Sequence, residues 1–237
     1  MIRCVAVAES GFCRKGWNMT SSLFGSSAKS RLVTPDEALP GRPTRTFNVP
    51  TRHEVLGTPL EGPFPDGMSI LYLGFGCFWG AEKRLWRVPG VYTTAVGYQG
   101  GISPNPSYEE VCSGRTGHAE NVLVVYDSAI VSTYDILKVF WENHDPTQGF
   151  RQGNDIGTQY RSALYWTTDE QADIAQRTRD AYDAVLQARG YGGVTTELGS
   201  AQGLPFFYAE DYHQQYLYKN PRGYDCHAET GIALPPL

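Results

Sequence analysis

Apolar positions along this chain switch between two spacings, and the switch points mark its elements. Residues 70–73 form a short apolar run bounded by Gly74 and Gly76, the pattern of a buried strand. Phe78, Ala81, Leu85 and Trp86 then recur at helical spacing and predict a helix over 78–87. Residues 91–98 read as a second strand, closed by Gly100-Gly101. Ser107 with Glu110 three positions later is a capping box that opens a short helix. Residues 121–126 are apolar on both faces, which marks a central strand. Ile136, Leu137, Val139 and Phe140 give a helix over 134–143 its inward side. A further strand covers 162–167, after which Thr168 and Gln171 cap a long helix running to Gly190. Short strands follow at 194–198 and 205–209. Strands and helices intermix without the strict alternation of a doubly wound fold. The expected class is α+β, with a mixed, mainly antiparallel sheet flanked by helices in a ferredoxin-like-related sandwich.

The outer segments lack this periodicity. Residues 1–45 read as a leader or flexible extension, and residues 46–237 as one catalytic domain. From Met1 to Arg31 the bases Arg3, Arg14, Lys15, Lys29 and Arg31 face a single acid, Glu9, in a serine-rich context. That composition resembles a mitochondrial transit peptide, and reads equally as an unstructured extension. The expected location is mitochondrial, cytoplasmic or both. Met19 offers an internal start, and Glu9 breaks the apolar run that a secretory signal needs. Residues 34–51, with several prolines, read as an extended arm. Residues 220–237 read as a mobile tail.

Composition narrows the function. The net charge of -5 comes without a dense Lys/Arg cluster, which argues against a nucleic-acid binder. No apolar run is long enough to span a bilayer. The five cysteines, at 4, 13, 77, 112 and 226, are odd in number and irregular in spacing. They make a poor disulfide framework and fit a reducing compartment with a few working thiols. None has CxxC spacing, and the histidines lack ligand spacing, so no metal site is expected.

The most informative stretch runs from Gly74 to Gly80, Gly-Phe-Gly-Cys-Phe-Trp-Gly. Its glycines permit a sharp strand-to-helix turn and close approach of a ligand. A thiol at a helix N-terminus feels the positive end of the helix dipole, which enriches the thiolate. Phe78 and Trp79 would wall the site with apolar surface, which suits an S-methyl group better than an anion. A buried, inert cysteine among core aromatics is the alternative reading of the same residues.

Gly-Cys-Phe-Trp-Gly resembles the active-site signature of the peptide methionine sulfoxide reductase A family. The resemblance continues, in order, through Gly97-Tyr98-Gln99-Gly100-Gly101, Asn105-Pro106-Ser107-Tyr108 and Gly117-His118-Ala119-Glu120. It goes on through the blocks at 140–146, 152–155 and 157–162, and ends in Tyr208-Ala209-Glu210-Asp211-Tyr212-His213-Gln214-Gln215-Tyr216-Leu217. It implies an enzyme that reduces the S epimer of methionine sulfoxide, in proteins and free, in repair of oxidative damage. Cys77 is then the nucleophile and Glu120 the acid, its pKa raised by burial. Tyr108 and Tyr160 match the family's tyrosines that hydrogen-bond the sulfoxide oxygen. Phe78 and Trp79 contact the substrate, and Asp155 matches an aspartate that contacts the substrate backbone. His118 and His213 read as structural hydrogen-bonders. Cys226 is the resolving cysteine, and no cofactor is bound. Thioredoxin, or dithiothreitol in vitro, is the expected reductant, and the enzyme is expected to be a monomer.

Three departures from the family pattern stand out. Gly223-Tyr224-Asp225-Cys226 is one residue longer than the usual Gly-Tyr-Cys, and no cysteine lies near the C-terminus. The lack of a further cysteine beyond Cys226 implies a two-cysteine cycle without a recycling relay. Ile156 stands where many relatives have histidine. Cys112 reads as a packing residue. A thiol peroxidase also passes through sulfenic acid, but its polar peroxide site conflicts with Phe78-Trp79. A non-catalytic binding module conflicts with the full set Cys77, Glu120, Tyr108 and Tyr160.

Overall fold

The computed structural model describes residues 29–225 and 228–237. The reading of 1–28 as a leader and of Cys226 as a resolving thiol therefore lies outside the described residues. Eight strands and five helices follow in chain order. They are β1 (Met68–Gly74), α1 (Phe78–Leu85), β2 (Val91–Gln99), α2 (Tyr108–Cys112) and β3 (Ala119–Asp127). Then come α3 (Thr133–Glu142), β4 (Arg151–Gln152), β5 (Asp155–Ile156), β6 (Ala163–Trp166) and α4 (Asp169–Ala188). Last are β7 (Glu197–Ser200), β8 (Phe207–Tyr208) and α5 (Tyr216–Lys219).

Six strands form one sheet in the order β7-β6-β1-β3-β2-β8, while β4 and β5 make a separate two-residue hairpin. Every pairing in the large sheet is antiparallel except β6 with β7. The class is therefore α+β with a mixed, mainly antiparallel sheet, as the pattern predicted. β3 lies between β1 and β2, which explains why its residues are apolar on both faces. Val122, Val124 and Tyr126 join the main core with α1, α3 and α4 residues such as Leu85, Phe140 and Tyr182. Leu123 and Val125 point the other way, against Ala95 and Leu60.

Local chemistry explains the helix starts. Ser107 and Glu110 close a capping box on α2, and Thr168 and Gln171 do the same on α4. A third box, Ser132 with Asp135, opens α3. Helix α1 ends at Leu85, two residues before its expected limit, and β7 begins three residues later than predicted. Such ends are set by tertiary pairing more than by pattern.

Both flanking segments depart from expectation. The arm is part of the domain well before residue 46. Leu39 N–H donates to Arg115 O at 2.9 Å, and Arg42 N–H donates to Pro104 O at 2.8 Å. The Arg42 guanidinium grips the Glu110 carboxylate through both nitrogens at 2.6 and 2.7 Å. Further on, Leu60 is fully buried, with Val49 and Phe64 packed around it. Docking here runs through backbone groups, the Arg42–Glu110 ion pair and single apolar anchors, which leave no periodic trace.

The C-terminal tail corrects the expectation of mobility over the same kind of contact. Leu234 is buried in the main core. Its N–H donates to Glu142 Oε1 at 2.8 Å, and the Tyr134 hydroxyl donates to Pro235 O at 3.1 Å. The Tyr182 hydroxyl reaches Ile232 O at 2.9 Å. Truncating this anchor should be felt globally. Leu234→Ala is expected to cost about 2 to 5 kcal/mol, the usual range for a buried leucine. Urea unfolding checks it, and an unchanged midpoint would mean the tail carries no core.

Candidate active site

The antiparallel pairing of β1 with β3 brings the end of one beside the start of the other. Cys77, just past β1, therefore meets Glu120, the second residue of β3. Cys77 is the N-cap of α1 and is nearly buried. Gly76 just before it has φ +97°, and a Cβ there would lie 2.7 Å from Gln152 Cγ. Glycine at 76 is thus required both by the backbone angle and by space. The strand-to-helix turn inferred from the sequence is present, and it puts Cys77 at the N-terminal, positive end of α1.

Glu120 is almost fully buried and accepts a hydrogen bond from the Phe78 amide at 3.1 Å. Burial pushes its pKa up to about 8, the Phe78 amide pulls against that, and the Asp155 charge adds to it. The carboxyl is therefore neutral at pH 7 and holds a proton it can give away. Two phenols complete this side. Tyr108 opens α2, and Tyr160 ends a 3-10 turn over Thr158–Tyr160. Burial, and next the charge of Glu120, raise both phenol pKa values well above the ordinary one. Both stay protonated and remain donors.

The far wall is aromatic. Phe78 is buried, and the Trp79 ring stacks on Tyr216 with centroids 3.9 Å apart and planes at 20°. The His213 ring sits 5.1 Å from Phe78 and 4.4 Å from Tyr108. The Trp79 indole N–H donates to His213 Nδ1 at 3.0 Å, so the imidazole proton sits on Nε2. Burial lowers the His213 pKa to about 3, which keeps it neutral. His118 is likewise buried and neutral, its Nδ1 accepting from Gly101 N–H at 3.0 Å. Both histidines are hydrogen-bonding parts of the frame, as read from the sequence.

A cavity of about 410 Å³ opens between these groups. Cys77, Glu120, Tyr108, Tyr160 and Asp155 line it together with the aromatic residues Phe78, Trp79 and Tyr216. All the predicted site residues among the described ones thus converge. Asp155 lies on β5 and accepts from the Tyr224 hydroxyl at 2.9 Å. Ile156, next to it, is exposed. Cys112 ends α2 and lies near enough to Tyr108 to contribute to the raised pKa of that phenol.

Sequence reasoning gave no role to Tyr216, Tyr224, Arg222 or Glu210. The first three line the cavity. Glu210 accepts from the Tyr98 hydroxyl and from the Tyr108 amide, both at 2.8 Å, and so fixes the start of α2. Only their presence in the recognised blocks or the tail could have signalled them.

The peptide methionine sulfoxide reductase family model matches residues 69–234. The chain belongs to that family. Its reductase relatives include the peptide methionine sulfoxide reductase MsrA of Salinispora arenicola, 58% identical over 215 residues, covering 90% of this chain and 96% of the relative. The MsrA of Rhodospirillum centenum is 59% identical over 209 residues, covering 88% and 94%. Among solved structures, methionine sulfoxide reductase A of Corynebacterium diphtheriae superposes with a TM-score of 0.76 at 48% identity, covering 87% of this chain and all of that one. Reduced Mxr1 from Saccharomyces cerevisiae gives 0.60 at 32% identity, covering 73% and 95%. The chain is thus a methionine sulfoxide reductase with the α+β fold of that family. Among its described residues no helix is long and apolar enough to cross a membrane.

Proposed function

We propose that this reductase acts on the S epimer of methionine sulfoxide, in oxidised proteins and as the free amino acid. The carrying observation is a thiol at a helix N-terminus beside a buried, protonated carboxyl, facing an aromatic wall. The wall of Phe78, Trp79 and Tyr216 takes the S-methyl group. Tyr108 and Tyr160 donate to the sulfoxide oxygen, and Asp155 holds the substrate backbone.

The Cys77 thiolate attacks the substrate sulfur while Glu120 delivers its proton to the oxygen. Oxygen then moves to Cys77, methionine leaves, and Cys77 is left as a sulfenic acid. The substrate sulfur is reduced by two electrons and Cys77 is oxidised by two. The Cys226 thiol next attacks the sulfenic sulfur, forming a disulfide and releasing water. An external dithiol, thioredoxin in the cell or dithiothreitol in vitro, reduces that disulfide. The cycle uses no bound cofactor and needs one copy of the chain.

Racemic methionine sulfoxide followed by chiral chromatography tests this scheme. The S epimer should disappear and the R epimer persist. Cys226→Ser should release one methionine per enzyme and lose most thioredoxin-dependent cycling. Cycling at the native rate in that variant would move the resolving step to Cys112 or to the reductant itself. Consumption of the R epimer would sink the stereochemical assignment.

A further inference from the structure

The wall that faces Cys77 is assembled from two chain segments far apart in sequence, and a buried carboxylate joins them. Trp79 and Glu82 lie three residues apart on α1 and so share a face. That face meets residues 213–216 at two points. Trp79 stacks on Tyr216 and donates to His213. Glu82, fully buried, takes hold of Gln215 between them.

The Glu82 contacts are specific. Its Oε2 accepts from the Gln215 backbone N–H at 2.9 Å. Its Oε1 accepts from Gln215 Nε2 at 2.7 Å and from the Thr94 hydroxyl at 3.0 Å. Gln215 Oε1 in turn accepts from the Glu54 amide at 3.2 Å, tying the site to the N-terminal arm. Behind Thr94 stands His53, whose Nε2 lies 2.9 Å from the Thr94 hydroxyl oxygen. His53 Nδ1 accepts from the amides of Val55 and Leu56, both at 3.1 Å, so its proton is on Nε2 and the ring is neutral. His53, 4.0 Å away, therefore brings no charge to Glu82, and the Lys219 charge is the last and weakest of the influences on it.

A buried carboxyl whose hydrogen-bond partners are all neutral donors is a poor source of stability. What it does achieve is conformational. Gln215 has φ 48° and ψ 40°, the left-handed region that a residue with a Cβ avoids. Gln215 is also the residue from which α5 starts, with Tyr216 as its first position. The turn at 215 thus decides where the Tyr216 ring goes.

We propose that Glu82 is a positioning residue for the substrate wall: by holding Gln215 in its left-handed turn, it sets Tyr216 against Trp79. The proposal rests on the reading that this wall takes the substrate S-methyl group. Glu82 touches neither substrate nor Cys77 in this scheme and acts only through Gln215. Loosening it should weaken binding at the wall more than it slows the bond-making step.

The test is steady-state kinetics with free methionine sulfoxide and dithiothreitol, alongside thermal unfolding. Glu82→Gln puts an amide donor opposite the Gln215 and Thr94 donors. It is expected to raise KM about tenfold, the effect of losing one hydrogen bond to a charged group, with kcat changed less than about threefold. Gln215→Ala should do the same. The exchange pair, Glu82→Gln with Gln215→Glu, reverses the polarity of the side-chain bond while keeping an acceptor for the Gln215-position amide and for the Glu54 amide; only the Thr94 hydroxyl, which does not hold Gln215, still faces an amide donor. It should bring KM back to within about twofold of the native value, a rescue that general loss of stability does not give. Single variants with native KM, whatever their melting midpoints, overturn the proposal. So does an exchange pair that recovers neither KM nor, should the single variants fail to fold, the fold. Native enzyme and Cys77→Ser run as controls. A native KM indifferent to Trp79→Ala would sink the wall reading itself, whereas a native KM in the Glu82 variants sinks only the positioning role.

Discussion

Cys77→Ser is expected to lose turnover with dithiothreitol and with thioredoxin alike, by at least about 10⁴-fold. A serine hydroxyl keeps the place but not the chemistry, because the helix dipole cannot make an alkoxide where it can make a thiolate. The variant should nonetheless be at least as stable as the native enzyme. Cys77 is the N-cap of α1 and makes no side-chain cap hydrogen bond. Serine is a favoured N-cap and could accept from the first free amides, worth about 0.5 to 1 kcal/mol. Loss of activity and gain of melting temperature together separate chemistry from folding. Mass spectrometry after one equivalent of sulfoxide, with a sulfenic-acid trap, reads the first step directly. With Cys226→Ser in place, so that no disulfide drains the sulfenic acid, the trapped adduct should sit on Cys77, and adding Cys77→Ser should abolish it. Residual turnover above about one part in a hundred would transfer the nucleophile's role to another thiol.

The second large effect belongs to Glu120. As the proton donor it works only while protonated, and burial first, with Asp155 assisting against the Phe78 amide, places its pKa at about 8. The reductive step, measured in single turnovers, should therefore hold below pH 8 and fall above it. Glu120→Gln keeps a hydrogen-bond donor but has no proton to transfer. It should slow the step by about 10² to 10⁴-fold and erase the alkaline limb. A native rate that keeps climbing past pH 9 would remove Glu120 from the acid's role. Stability carries the same signature with a definite sign. Between the ordinary glutamate pKa of 4.5 and about 8, the folded state keeps a proton that the unfolded chain has released. Stability must fall as pH rises through that window and level off above it. Glu82, with its pKa raised by burial to about 7, adds a slope of the same sign. Glu120→Gln should therefore flatten the stability profile only in part.

How much of this was legible in the sequence depended on the range of the interaction. Capping boxes act over three residues, and Ser107-Glu110 and Thr168-Gln171 were found where they were read. The central place of β3 was legible because burial on both faces leaves a doubly apolar strand. Cys77 announced itself through the glycines around it. What escaped was held across long separations by single contacts. Leu234 anchors the tail from a run with no period. The β4–β5 hairpin has two residues a side, too short for alternation to show. Glu82 looks like an ordinary exposed glutamate of an amphipathic helix until Gln215 and Thr94 are seen around it. Glu120 is the instructive intermediate. Its place at the entry of β3 suggested burial, but the family resemblance was needed to choose an acid over a salt-bridged surface residue.

The N-terminal arm also bears on where synthesis of a working enzyme can begin. Leu60, with Val49 and Phe64, covers Leu123, Val125 and Ala95 on the sheet face away from the helices. A polypeptide initiated at Met68 would still contain every strand and helix of the described residues and the whole family match. It would nevertheless leave that greasy face of β3 and β2 naked to solvent, an invitation to self-association. Initiation at Met19 keeps Val49, Leu60 and Phe64, and with them this cover. Of these two methionines, only the earlier one yields a product whose sheet is clothed on both sides.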